Sequence, residues 1–371
     1  MAKEKKAKKI NYTEQDMVKG GLLMGANYLV ENPKQIISVS PASDLGLGGG
    51  IPEGSWVGLS GPPKCGKTTL ALHIAAKAQM PEYGARPTFL IDVEHRIKDL
   101  HLKGIKGLKL AKDGEDASGL RVMRSIKGNI IGAEEFLTGA TNIIKNNPGA
   151  VVIIDSTSAL CSAKELSSDI SGQMRSLGPK ILASFCRQMG PVVPVNNCIV
   201  ISIQHLIANT SGFGASQYED SGRKVQYQGD VKMRCKSSQA WKESEVQIGQ
   251  RTEWTVSWSA LGPPGATIVN WLRYGTGIDE TTELIDLCLD VGLISAAGAW
   301  YNFDYLQELA EENLKVIEEN ENAPKSTLIE LMGDKPPEKA FKKQGREKVY
   351  NFLVDNPFIE TMLLDEVRSI L

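Results

Sequence analysis

The residues GPPKCGKT at 61–68 constrain this chain more than any other feature, because they follow the apolar run SWVGLS and open a stretch of helix-forming residues. Strand, glycine-bearing loop and helix in that order build a cradle in which backbone amides face an anion at the positive end of a helix. Gly61 and Gly66 let the backbone wrap. Lys67 carries a charge suited to the β and γ oxygens of a nucleoside triphosphate, and Thr68 offers a hydroxyl to Mg²⁺.

Such a cradle belongs in an α/β layer fold. Between about 55 and 204 the runs SWVGLS, TFLIDVE, VVIIDS and CIVISIQ are each nearly continuous in apolar residues, as parallel strands covered on both faces should be. Helical stretches at 67–80 and 133–146 separate them, which predicts right-handed crossovers in one open sheet and ligands at the strands' C-terminal ends. The expected class is an α/β nucleotide-binding core with a mostly parallel sheet. After CIVISIQ come the residues LIANTSGFGASQYEDSGRKVQYQGD, at 206–230, with no period. Loops beyond about 12 to 15 residues are uncommon unless functional or disordered. The runs VKMRC, TEWTVSW and TIVNWLRY read as antiparallel extensions of the same sheet.

The ends differ from the middle. The first nine residues hold five lysines and one glutamate, either a solvated tail or a basic arm touching nucleic acid or a neighbouring subunit. Residues 11–31 predict a short helix interrupted by Gly20 and Gly21. Beyond 281 the pattern turns helical: 304–321 carries seven acids against Lys315, 322–345 reads as a Pro-, Lys- and Gly-rich linker, and 346–371 as a last helical piece. The predicted organisation is an N-terminal tail and arm at 1–34, a core at 35–303, and a helical C-terminal region at 304–371.

Composition removes several classes. Hydrophobic residues at 42% and charged residues at 23% suit a folded globular chain rather than a disordered one. Six cysteines without a CxxC pair suggest neither a zinc site nor a secreted disulfide framework, and a reducing compartment is expected. No apolar run approaches the roughly 18 residues of a membrane span, so no membrane partner and a cytoplasmic location are expected. A net charge of −2 gives no bulk argument for nucleic acid, which would need a local basic surface or loop amides.

Three further positions bear on the triphosphate. Asp155 ends the buried run VVIID, where an acid serves as a metal-supporting carboxylate or simply as a helix cap. TFLIDVEH closes on Asp92, Glu94 and His95; Glu94 is the candidate base for the attacking water, against a surface acid at a helix start. Gln204 ends CIVISIQ, either as a neutral donor that senses the γ-phosphate and passes its presence into the following loop, or as a plain β-edge glutamine.

Taken in order, IPEGSWVGLSGPPKCGKTT, LIDVEH, VVIIDSTSAL, ISIQ with its long loop, and YGTGIDETTELIDLCLDVGLISAAGAWY resemble the RecA family across roughly residues 35–305. The last block is the most specific: a YGxGI run at Tyr274–Ile278, ELIDL at Glu283–Leu287, and a GAWY turn at Gly298–Tyr301. Among members, the bacteriophage UvsX-type recombinases are the nearest likeness. The resemblance implies a DNA-dependent ATPase that forms a helical filament on single-stranded DNA and exchanges strands with homologous duplex, with ATP and Mg²⁺ as cofactors. A recombination mediator and a single-strand-binding protein are further expected partners. Carried over by position, Gly61, Pro62, Pro63, Lys64, Cys65, Gly66, Lys67, Thr68 and Thr69 cradle the nucleotide, and Thr68 and Asp155 hold the metal. Glu94 is the catalytic carboxylate, assisted by Lys67 and by Gln204 as sensor. Residues 161–178 and 206–230 become the DNA-binding loops, with Arg175 in the first and Gly212, Phe213, Gly214, Arg223, Lys224 and Tyr227 in the second.

The pattern departs from the family twice. His101 stands where an aromatic tyrosine lies beneath the adenine, leaving less ring area to stack. The stretch before YGxGI, where the family places cations that reach a neighbour's γ-phosphate, reads SWSALGPPG, and between Trp254 and Tyr274 only Arg273 is basic. Two other functions fit the residues: a replicative helicase sharing the core, which the GAWY block and the lack of a large N-terminal domain disfavour, and a weakly hydrolysing ATP-binding DNA scaffold or mediator, which SWSALGPPG favours.

Overall fold

The structure is a computed structural model and describes residues 13–112, 119–168, 177–208, 217–220, 228–320 and 325–370. The chain divides into two compact units, Met1–Gln35 and Ile36–Leu371. In the first, α1 (Glu14–Lys19) starts at Thr13, whose hydroxyl accepts from Asp16 N while Asp16 returns a bond to Thr13 N, and stops at Gly20. A second helix, α2, spans Asn27–Glu31. Gly20 and Gly21 thus split the helical stretch where the sequence placed the break.

In the second unit, α3 (Pro41–Leu47) precedes the buried strand β1 (Trp56–Gly61), the helix α4 (Lys67–Ala78), β2 (Thr88–Asp92), α5 (Asp99–Lys103) and β3 (Leu120–Met123). Then follow α6 (Ala133–Asn146), β4 (Val151–Asp155), α7 (Leu177–Met189), β5 (Ile199–Ala208) and the short β6 (Gln217–Glu219). The long strands β7 (Val231–Glu243) and β8 (Val246–Trp258), then β9 (Thr267–Arg273) and β10 (Gly277–Ile278), complete the sheet. Among the described residues it is ten-stranded, in the order β10, β9, β8, β7, β1, β5, β4, β2, β3, with β6 on β5. The six strands from β7 to β3 in that order run parallel, and β8, β9, β10 and β6 are antiparallel additions.

The run VKMRC is not one of the antiparallel extensions that the sequence predicts. VKMRC opens β7 and pairs parallel with β1, Val57 opposite Val231 and Leu59 opposite Met233, so it belongs to the parallel core. A strand that follows a segment with no helical period in its sequence has nothing local to announce its direction, and its register on β1 settles it.

Two apolar layers cover the sheet. Strand alternation sends odd-numbered side chains of β4 and β5 (Val151, Ile153, Ile199, Ile201, Ile203) towards α4, where Leu70, Leu72 and Ile74 meet them. Even-numbered ones (Val152, Ile154, Val200) face α6 and α7 through Phe136, Leu137, Leu182 and Phe185. α4 is buried on nearly every side, because its leucines, isoleucine and alanines are spread around the helix and the buried Lys67 and His73 find carbonyl partners at Gly61, Pro62 and Val39.

A third core holds α8 (Glu280–Asp290) with the C-terminal elements α9 (Asp304–Glu319), α10 (Thr327–Met332), α11 (Arg346–Asp355) and α12 (Pro357–Ile370). Residues 325–345 are therefore not a linker. Leu328, Ile329, Met332 and Phe341 are buried, and 342–344 pairs as a strand with 300–302. No described helix is long and apolar enough to cross a membrane.

Candidate active site

β1 ends at Gly61 and α4 begins at Lys67, so the loop at 62–66 hangs between a buried strand and a buried helix. Gly66 caps α4 with φ 89°, and a Cβ there would stand 2.2 Å from Leu272 Cδ1. Only glycine fits both demands. A Cβ on Gly61 would lie 2.7 Å from Cys235 Cβ and 2.8 Å from Cys65 Sγ, so this glycine lets the loop settle on β7. Pro63 and Lys64 are exposed, Cys65 is buried beneath them, and Thr69 is half-buried in the first turn of α4. The buried Lys67 donates from Nζ to Gly61 O at 3.0 Å and Pro62 O at 2.8 Å, neutral carbonyls that phosphate oxygens would outcompete.

Thr68 Oγ1 donates to Asp155 Oδ2 at 2.7 Å, joining the start of α4 to the end of β4. Burial pushes the Asp155 carboxyl above the usual carboxylate range; the Thr68 bond opposes that shift, while the charges of Glu94 and Asp92 add to it. A hydroxyl beside a carboxylate at the foot of a phosphate cradle is the oxygen donor set that Mg²⁺ takes, the remaining positions going to water and phosphate. Among the described residues no group of three or more His, Cys, Asp or Glu forms a metal cage of its own. The residues fit a magnesium-bound triphosphate.

Glu94 sits just past β2, its side chain largely buried. It accepts from Ser156 Oγ at 2.6 Å and faces His205 Nε2 at 2.9 Å and Arg96 Nη1 at 3.3 Å. Asp92 pairs with Arg124 at 3.6 Å, and His95 Nε2 accepts from Ser125 N at 2.9 Å, so these two brace the strand end. Ser156 and His205 were missed by residue-type reasoning. Parity would have found His205, since odd positions of β5 face α4.

The same parity explains Gln204. It shares a face with Val200 and Ser202, is buried, donates to Ser202 Oγ at 3.4 Å, and its Oε1 has no hydrogen-bond partner among the described residues. With Trp56, Lys232 and Trp258 it lines a small cavity on the sheet face away from α4. The structure thus brings His205, not Gln204, to Glu94. Nearby, Glu219 of β6 pairs with Lys232 at 3.0 Å and accepts from Ser60 Oγ at 3.3 Å, anchoring a piece of the 206–230 segment to the sheet. His101 is exposed on α5 and accepts from Lys98 N at 3.3 Å. The DNA-loop candidates Arg175, Gly212, Phe213, Gly214, Arg223, Lys224 and Tyr227 lie outside the described residues.

In the block from Tyr274 to Tyr301, two buried acids fasten elements of the fold together. Asp279 caps α8 by accepting from Thr282 N at 3.0 Å and takes Arg273 Nε at 2.6 Å. Glu283, in ELIDL, accepts from Asn270 Nδ2 at 2.8 Å and Ala42 N at 3.2 Å, which fastens α8 to β9 and α3.

Fold and cleft together define an α/β nucleoside-triphosphate-binding protein in which the carboxylate Glu94 touches the strand that runs into residues 206–230. The RecA N-terminal domain family matches residues 5–279, and the chain belongs to that family. It is 30% identical over 294 residues to Protein RecA of Acholeplasma laidlawii strain PG-8A, covering 78% of this chain and 83% of that protein. Protein RecA of Chloroherpeton thalassium is 26% identical over 310 residues, 81% and 82% of the two chains, and that of Geobacter sulfurreducens 27% over 297 residues, 79% and 83%.

Proposed function

We propose that this protein is an ATP-driven recombinase that assembles as a helical filament on single-stranded DNA, pairs it with homologous duplex, and exchanges strands. The observation that carries the reading is the convergence of Lys67, Thr68, Asp155 and Glu94 on one cleft, with Glu94 held at 2.9 Å by His205 of the strand that runs into residues 206–230. Membership of the RecA family supports it. The chain stands in this reading beside the bacteriophage UvsX-type members and acts in the host cytoplasm, with the bacterial proteins as relatives at 26–30% identity.

In this reading Lys67 exchanges its loop carbonyls for β and γ oxygens, and Thr68 and Asp155 would hold Mg²⁺. When bound, the metal neutralises charge shared by those oxygens. Glu94 orients the attacking water and takes its proton, with Ser156 aiming the carboxylate. Turning towards that water loosens Glu94 from His205, which transmits the event along β5 into residues 206–230, and Gln204 is the neighbouring sensor. Arg175, Arg223 and Lys224 would meet phosphates, the amides of Gly212 and Gly214 would join them, and Phe213 and Tyr227 would lie against bases. Residues 1–34 would pack on the next subunit, and 304–371 would form the accessory helical region. A recombination mediator and a single-strand-binding protein would share the DNA.

One observation favours a second reading. SWSALGPPG holds no cation, Ser259 Oγ being tied to Leu47 O at 2.7 Å. A cation supplied by a neighbour is worth about 10³ to 10⁵ in rate, so a scaffold that binds ATP and scarcely hydrolyses it also fits. Steady-state ATP hydrolysis with and without single-stranded DNA separates the two. The recombinase reading predicts stimulation of at least about tenfold, abolished in Lys67→Ala. Tight nucleotide binding with no stimulation would favour the scaffold.

A further inference from the structure

Cys65 lies inside the phosphate loop and Cys235 in β7, the strand that leaves the 206–230 segment. Both are free and buried. The Cys235 thiol is within hydrogen-bonding reach of Cys65, its Sγ 4.0 Å from Cys65 O, and it also donates to Ser237 O at 3.4 Å. Nothing stands between them because residue 61 is glycine: a Cβ there would meet Cys65 Sγ at 2.8 Å and Cys235 Cβ at 2.7 Å. Lys67 Nζ is 3.8 Å from Cys65 Sγ.

Buried cysteines are ordinarily inert, and Cys186 and Cys288 fit that rule, burial pushing each thiol up to about 12. Cys65 differs. The bond from Cys235 holds its thiol below the usual range, burial opposes this, and the Lys67 ammonium adds to the lowering. Cys235, as the donor, is held above the usual range. The pair is therefore asymmetric, with one sulfur disposed to attack and the other to resolve.

We propose that Cys65 and Cys235 form a reversible disulfide under peroxide, closing the phosphate loop to nucleotide. The Cys65 thiolate attacks one peroxide oxygen; the O–O bond breaks, and the departing hydroxide takes a proton and leaves as water. Cys235 Sγ then attacks the resulting sulfenic sulfur, and the second hydroxide leaves as water with the Cys235 proton. Two thiols are oxidised to one disulfide while one peroxide is reduced to two waters. An S–S bond of about 2.05 Å is far shorter than a thiol–thiol contact, so closure draws Cys65 towards β7 and drags the amides on either side, together with Lys67, out of their phosphate-facing positions. The oxidised loop loses its ligand and regains it on reduction.

The functional consequence rests on the nucleotide reading of the loop, whereas the cross-link does not, and the test keeps them apart. Full-length protein is treated with hydrogen peroxide, alkylated, and digested for peptide mapping; in parallel, binding of a fluorescent ATP analogue with Mg²⁺ is titrated before oxidation, after it, and after dithiothreitol. The expected results are a linked Cys65–Cys235 peptide, an affinity loss of at least about tenfold reversed by dithiothreitol, and peroxide-resistant binding in Cys235→Ser. Absence of the linked peptide would overturn the proposal, as would a linked protein that binds the analogue like the reduced one. The peptide map on the parent protein decides the cross-link even if Cys235→Ser does not fold. Reduced protein that fails to bind would refute the nucleotide reading instead.

Discussion

Replacing Glu94 by glutamine separates proton transfer from geometry. The carbonyl of the new side chain can still accept from Ser156 Oγ, which stands 2.6 Å from the Glu94 carboxylate. The same oxygen faces His205 Nε2 at 2.9 Å and can accept from it as well, so these two contacts keep the side chain in place, and only the exposed Arg96 pair, 3.3 Å from the other oxygen, is given up to the amide. What it loses is the capacity to accept the water's proton. A positioned general base contributes about 10² to 10⁴ in rate, and here the retained contacts leave only that contribution to be removed. The expected fall in kcat is therefore about 10²- to 10³-fold, or ~3 to 4 kcal/mol of barrier, with analogue affinity within about twofold of the parent. Phosphate release at saturating ATP with single-stranded DNA gives the first quantity, and equilibrium titration of the analogue the second. A kcat within about threefold of the parent, or equal losses of binding and turnover, would refute the assignment of Glu94 as base.

Other substitutions probe the rest of the cleft. Thr68→Ala removes the donor to Asp155 and one metal-facing oxygen, so the Mg²⁺ concentration giving half-maximal ATP hydrolysis should rise by about tenfold or more, read from a metal titration. His205→Ala cuts the tie between Glu94 and β5, and the ratio of DNA-stimulated to basal hydrolysis should drop further than the basal rate itself, measured in one ATPase series. Burial pushes the Glu283 carboxyl from 4.5 up to about 8 in the folded state. Because the folded value is the higher, the folded protein holds more protons between those limits, and stability falls as pH rises through that window. Urea midpoints of the parent should decline between about pH 5 and 8, and Glu283→Gln should flatten the decline.

Much of this architecture can be read from the chain because its signals are local. A strand, a loop with Gly61 and Gly66, and a helix are contiguous, and the stretch 133–146 forms α6 over those same residues. What eluded the sequence depends on distant partners. The direction of β7 is set by its register on β1, residues that lie far apart in the chain. Residues 325–345 look polar, yet a few apolar anchors such as Leu328 and Phe341 suffice to pack them into the third core. In the site itself, a search by chemical type favoured Gln204, an amide at a strand end, whereas face parity delivers the adjacent His205 to Glu94. The Cys65–Cys235 contact likewise exists only once β7 lies beside the phosphate loop.

The central claim is that bound triphosphate at Lys67 organises copies of this chain along a DNA strand. Negative-stain imaging with single-stranded DNA and a slowly hydrolysed ATP analogue tests it most directly. The account predicts regular helical filaments that disappear without nucleotide and fail to form with Lys67→Ala; closed rings, or filaments indifferent to nucleotide, would contradict it.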